Sequence, residues 1–161
     1  HAGKLDPRHK RSEDVRARIN VLSSLPDQWQ GALRQWSRLN ASKKRDLEDA
    51  RAPDGNDEYL FYQTLLGAWP IAAPEFEQEI SPWGFLLQPG ETPPYQAFRQ
   101  RIRDYMLKAV KEAKVYTSWL NPYEEYEEAL LRFVDRALQP GPRNRFLITL
   151  APLARRVAYF G

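Results

Sequence analysis

The side chains able to do chemistry in this sequence of 161 residues are almost all oxygen acids, cations and aromatics. There is no cysteine, which removes disulfides and thiolate metal sites from consideration. The two histidines, His1 and His9, both stand in the first nine residues, so histidine catalysis or metal binding in the folded body is excluded as well. Carboxylates abound without forming a recognisable acid–base pair. Glu124, Glu125, Glu127 and Glu128 fall in the opening turns of a helix, where the positive end of the dipole and solvent account for them. Asp54, Asn56 and Asp57 around Gly55 faintly echo a calcium loop, but Leu60 and Phe61 break the downstream spacing it requires.

Cations and aromatics are the other resource. Lys43-Lys44-Arg45, Arg99/Arg101/Arg103, Arg143/Arg145 and Arg155-Arg156 are spread along the chain and read as solvated faces. Only a phosphate or RNA partner would require them gathered. Five tryptophans and eight tyrosines invite sugar stacking. Trp29, Trp36 and Trp69 nevertheless recur at helical spacing and read as core, where truncating one costs about 3–5 kcal/mol. Tyr116 and Trp119 sit between helices, where a binding role is open to them.

Composition sets the class. Hydrophobic residues make up 42% and charged residues 28%, as in an ordinary globular domain, and the length suits one domain or a substantial piece of a larger protein. A net charge of +3 is too small to argue for nucleic acid. No apolar run approaches the roughly 20 residues of a membrane span, and the start does not resemble a secretory signal. A cytoplasmic, soluble protein with no membrane partner is the expectation.

The elements that must position these groups are helical. His1–His9 has no period and reads as a loop or as residues foreign to the fold, leaving 10–161 as one helical domain. Ser12 caps a first helix with Glu13 and Asp14 in its opening turn and Val15, Ile19 and Leu22 as its apolar edge. A second starts near Pro26, buries Trp29, Ala32, Leu33 and Trp36, and ends near Asn40. Ala41–Pro53 is polar, either a short solvated helix or a loop.

The stretch Asp54–Pro70 is the organising element. Gly55 suits a turn with positive φ, Asn56 or Asp57 is the expected N-cap, and Tyr59, Tyr62, Leu66 and Trp69 line one stripe. Leu60, Phe61, Leu65 and Ala68 spread apolar surface round the cylinder, so other elements must wrap it. Ile71–Pro94, with five prolines, predicts an irregular surface excursion. Phe98, Ile102, Tyr105, Met106, Ala109, Val110 and Ala113 then mark a long amphipathic helix. Asn121-Pro122 predicts the start of another, with Tyr123, Tyr126, Leu130, Phe133 and Ala137 inside. Pro140-Gly141-Pro142 stops it. Asn144 caps a last helix carrying Phe146, Leu147, Leu150, Leu153 and Val157, kinked at Pro152. The fold class is all-α, with about five to seven helices by the same reading.

Several stretches together resemble the maltooligosyltrehalose synthase family, the (1→4)-α-D-glucan 1-α-D-glucosylmutases of the α-amylase superfamily. They are Lys10-Arg11-Ser12-Glu13-Asp14-Val15-Arg16-Ala17-Arg18-Ile19, the Asp54–Pro70 stretch, Tyr105-Met106-Leu107-Lys108-Ala109, Glu112-Ala113-Lys114, Thr117-Ser118-Trp119 and Asn121-Pro122. They occur in matching order from Lys10 to Gly161, with Ile71–Pro94 left unmatched. The resemblance implies a helical domain inserted in or packed on a (β/α)₈ barrel, between its seventh and eighth strands. It implies an intramolecular glucosyl transfer that turns the reducing-end α-1,4 linkage of a maltooligosaccharide into α,α-1,1, with no external cofactor or metal. An aspartate nucleophile and a glutamate acid–base would do the chemistry by a retaining route. Both would lie on strands upstream of this chain.

By the same resemblance Lys10 is a candidate substrate contact, with Arg11, Asp14, Tyr116 and Trp119 beside it. Pro7, Arg8 and His9 stand where the family has His-Asp-Thr, so the third family carboxylate is absent, and the family usually has histidine where Tyr116 stands. The implied partners are a maltooligosaccharide and the rest of a parent chain. Alone, the chain is expected to be inactive. One ammonium–hydroxyl bond nets about 1.5–3 kcal/mol, whereas millimolar binding already needs about 4 kcal/mol. This reading predicts exposed apolar stripes on the first and last helices, where a barrel would sit and where self-association could occur. The rival is a free-standing helical module that binds an acidic partner and has no large exposed apolar face.

Overall fold

The structure, a computed structural model, describes residues 26–70 and 93–160. The helix expected from Ser12 and the body of the proline-rich excursion lie outside these residues. Five α-helices are described: α1 (Pro26–Asn40), α2 (Gly55–Ala68), α3 (Pro93–Ala113), α4 (Glu124–Ala137) and α5 (Arg145–Phe160). A 3₁₀ turn at Ala41–Lys43 follows α1, and two short strands, β1 (Arg45–Asp46) and β2 (Arg51–Ala52), pair antiparallel ahead of α2. The mostly helical expectation holds, with this ladder as its exception. Strands of two residues are too short to carry an alternating pattern, which is why Ala41–Pro53 reads only as polar.

The buried face of α1 follows from residues three and four apart: Trp29, Trp36 and Asn40 are buried, with Ala32 and Leu33 packed beside them. Trp36 lies 5.4 Å from the Tyr62 ring on α2 and 5.5 Å from Phe146 on α5. Its indole N–H donates to Thr149 Oγ1 at 2.9 Å. Trp36 thereby joins three helices, and the tryptophans read as core from their spacing are core.

Helix α2 is the post expected. Phe61, Tyr62, Leu65, Leu66 and the following Trp69 are all buried, and α3, α5 and α1 close round it. Tyr59 differs from the predicted stripe, being 40% exposed at the edge of α2 with its hydroxyl accepting from Trp29 Nε1 at 3.2 Å. The cap also differs. Asp54, not Asn56 or Asp57, is the N-cap: its backbone is extended and its Oδ1 accepts from Asp57 N at 2.8 Å. Gly55 is accordingly the first helical residue and takes no left-handed turn.

Helix α3 opens at Pro93, so Pro93 and Pro94 start a helix where an irregular segment was expected. The first-turn N–H groups have no intrahelical acceptor, and proline loses nothing there. Phe98, Ile102, Met106 and Val110 are buried as their spacing predicts, whereas Tyr105 is 50% exposed and Ala113 is on the surface. Helix α4 begins at Glu124 after Tyr123, so Asn121-Pro122 lies before it and does not cap it. Asn144 does cap α5, through Oδ1 to Leu147 N at 3.1 Å. Phe146, Leu147, Leu150, Ala151, Ala154 and Val157 of α5 are buried. The apolar stripe expected to be exposed on the last helix is therefore used internally, against α2 and α1.

A polar seam crosses this core. Asn40, fully buried, donates to the Tyr62 hydroxyl at 3.1 Å, and that hydroxyl donates to Glu58 Oε2 at 3.1 Å. Glu58 Oε1 accepts from Ser37 at 3.3 Å and pairs with Lys44 Nζ at 3.1 Å. Every buried polar atom of the seam is partnered, which offsets the cost of burying a charge pair.

Candidate functional site

Of the residues singled out in the sequence, Lys10, Arg11 and Asp14 lie outside the described residues, and Tyr116 and Trp119 fall on the connection between α3 and α4. That connection begins at Lys114, whose φ of 58° is left-handed and ends α3 with its N–H on Val110 O at 3.3 Å. The chain then turns outward. Val115, Trp119 and Leu120 are 71%, 62% and 97% exposed, the most concentrated apolar exposure among the described residues.

Tyr116 and Trp119 share this loop but face different surroundings. Tyr116 is half-buried, its ring stacked on Tyr126 at 4.5 Å and its hydroxyl donating to Asp54 Oδ2 at 2.8 Å. Tyr126 accepts from Asp54 N at 3.1 Å and donates to Asp57 Oδ2. Tyr123 makes a second near-parallel ring pair with Tyr126, 6.4 Å between centroids. These rings, with Ala52 and Ala129, make a small satellite core that pins the loop against the start of α2.

Trp119 instead faces solvent with the Lys111 ammonium 4.1 Å from its ring centroid, a cation–π contact. Lys111 is held by Glu127 at 3.4 Å, and Glu127 also accepts from Thr117 Oγ1, which in turn accepts from Tyr123 N at 2.8 Å. Glu127 is thus largely withdrawn from solvent, against the reading of all four glutamates as a solvated face. The network fixes the ammonium that lies over the indole, and Trp119 itself stays largely exposed.

Electrostatics follow from this placement. Burial raises the Asp57 carboxyl above its ordinary range, opposed by the bond from Tyr126 and reinforced by the nearby Asp54 charge. Tyr126 is pushed up mainly by burial, and Tyr116 mainly by its bond to Asp54. The pair Asp54 and Asp57 therefore serves as an acceptor clamp for two tyrosines. Among the described residues no three His, Asp or Glu side chains converge as metal ligands. An exposed indole, its other face held by an ammonium, can stack on a sugar ring. The arrangement suits binding. Sequence reasoning missed Asp54, Asp57, Lys111, Tyr126 and Glu127 as parts of this region, because they lie up to 72 positions from their partners. The signal within reach was the run Asp54-Gly55-Asn56-Asp57, which holds more side-chain acceptors than one helix cap uses.

No family model matches the chain. Two curated proteins of Mycobacterium tuberculosis, strains CDC 1551 and H37Rv, carry the name maltooligosyl trehalose synthase and are 32% identical over 133 residues, 83% of this chain. The chain spans 14% of their length. Among solved structures, a hypothetical maltooligosyl trehalose synthase of Sulfolobus tokodaii is similar with a TM-score of 0.66 and 25% identity over 92% of this chain and 16% of its own. A glycosyltrehalose synthase designated DSM5389 gives a TM-score of 0.63 and 31% identity over 92% of this chain and 15% of its own. In sequence and in fold the chain corresponds to a segment of these synthases.

Proposed function

We infer that this chain, similar over most of its length to one segment of maltooligosyl trehalose synthases, forms a helical part of such an enzyme and helps enclose its sugar. The observation that carries the reading is the agreement of two likenesses: 32% identity over 133 residues with the curated synthases and a TM-score of 0.66 over 92% of the chain. The parent would convert the reducing-end α-1,4 linkage of a maltooligosaccharide into α,α-1,1. The barrel that carries its nucleophile and acid–base would be supplied by the remaining length of the protein. Excluding water would be this domain's contribution, since an unshielded glycosyl intermediate is hydrolysed.

Within that role Trp119, with the Glu127-held Lys111 ammonium over its ring, supports a sugar contact, and the exposed Val115 and Leu120 near it in sequence support docking against the parent. A free-standing module with no apolar face fits this loop less well. Maltopentaose titrated into the chain, followed by tryptophan fluorescence and amide shifts, tests the site. Saturable changes confined to 111–127 support a sugar subsite, and a flat response from folded protein overturns it. Incubation with maltopentaose should yield no trehalose-ended product; its appearance would refute the fragment reading.

A further inference from the structure

Away from the Tyr116–Trp119 loop, the far end of α4 carries a cavity of about 420 Å³ lined by Lys43, Arg136, Arg143 and the turn Gln139–Asn144. Tyr126 and Arg136 are ten residues apart, about 15 Å along the helix axis. We propose that this cavity is a binding site for a phosphate-class oxyanion, held by Lys43, Arg136 and Arg143.

Three cations from three separate places in the sequence share one concavity, and no acidic side chain lines it. The usual arrangement on this surface is different: Arg99 and Arg103 both meet Asp135, Lys44 meets Glu58, and Arg51 meets Asp46. Lys43 is also built in. Its ammonium donates to Asn40 Oδ1 at 2.7 Å, and that fully buried amide is locked by the Tyr62 hydroxyl. One of three donors is thereby used to aim the group, and two are left for a ligand. Burial first, and then the neighbouring Arg136 charge, lower the Lys43 proton affinity.

Two guanidinium forks and an ammonium match the charge and the several acceptors of a phosphate better than those of a single carboxylate. The hollow is open to solvent and has room for a phosphate group. The turn that carries Arg143 is firm, because Asn144 Nδ2 donates to Ala137 O at 2.8 Å and to Gln139 O at 2.7 Å.

The test is titration of inorganic phosphate into the ¹⁵N-labelled chain at constant ionic strength, with chloride and acetate as references. Saturable shifts at Gly141, Asn144 and the Asn40 side-chain amide are expected with phosphate. Arg136→Gln and Arg143→Gln, both at exposed positions, should each weaken binding tenfold or more. Lys108→Gln, which removes the same charge elsewhere, should leave it unchanged. Shifts equal to those in chloride, or equal weakening by Lys108→Gln, would overturn the site. Glucose 6-phosphate distinguishes the source: tighter binding than phosphate assigns a sugar phosphate, and equal binding assigns the free ion.

Discussion

The Tyr116 and Tyr126 rings lie stacked, 4.5 Å between centroids and 20° from parallel, and their hydroxyls donate to Asp54 and Asp57 respectively. A loop and two helix starts are thus joined by two aromatic–carboxylate struts. What happens at Asp57 consequently reports on the loop that carries Trp119.

Asp57 makes stability depend on pH in a definite direction. Its folded pKa is raised above 3.8, so the folded chain holds that proton more tightly than the unfolded chain does. This group's contribution is therefore most favourable below 3.8 and declines as pH rises from there through its folded pKa. Asp57→Asn should remove that decline, seen as a flatter difference curve in urea melts between about pH 3 and pH 7. Tyr126→Phe removes the one bond that lowers the Asp57 pKa, and should move the window upward while costing about 1–2 kcal/mol.

Two tryptophans should respond oppositely to truncation. Trp36 is 1% exposed and touches α2 and α5, so Trp36→Ala should cost about 3–5 kcal/mol or unfold the chain. Trp119 is 62% exposed, and Trp119→Ala should change stability by less than about 1 kcal/mol. Loss of the maltopentaose response in folded Trp119→Ala would tie the indole to sugar. Equal destabilisation by the two substitutions would contradict the packing described.

Gly31 sits exposed in the middle of α1, and a Cβ added there meets nothing within 4 Å. Gly31→Ala should stabilise the chain by about 0.8–1 kcal/mol, because alanine loses less backbone freedom in a helix. A thermal melt that moves down would show that α1 is not helical at that point.

The Lys44–Glu58 pair offers a double-mutant cycle. Its side chains are 11% and 7% exposed, and Glu58 also accepts from Tyr62 and Ser37. Lys44→Met should cost about 3 kcal/mol by leaving a buried carboxylate uncompensated. Adding Glu58→Gln should recover part of that loss, since the amide oxygen still accepts from Tyr62. Additive losses in chemical denaturation would show the pair to be uncoupled.

The helices were legible because Trp29/Trp36, Phe98/Ile102/Met106 and Phe146/Leu150 recur at turns of the cylinder and are buried on that account. Local rules failed where several residues compete for one role. Asp54, Asn56 and Asp57 can all cap, and the choice fell to Asp54 because Tyr116 and Tyr126 hold it from across the fold. Tyr105 obeys the helical period and is still exposed, since periodicity places it at the stripe's edge without saying where the neighbours end. Glu127 reads as one acid among four until Lys111 and Thr117 arrive beside it. Pairings of this kind exist only once the chain has folded.

The Trp36–Thr149 hydrogen bond joins residues 113 positions apart. During vectorial synthesis at about 5–20 residues per second, roughly 6–23 s separate the appearance of these two residues at the ribosome. Over that interval the indole's slot lacks its α5 wall, and the nascent chain carries an open aromatic cleft. Helix α5 is therefore a closing bolt, and a ribosome stalled before Thr149 would present a client for chaperones in place of a sealed core.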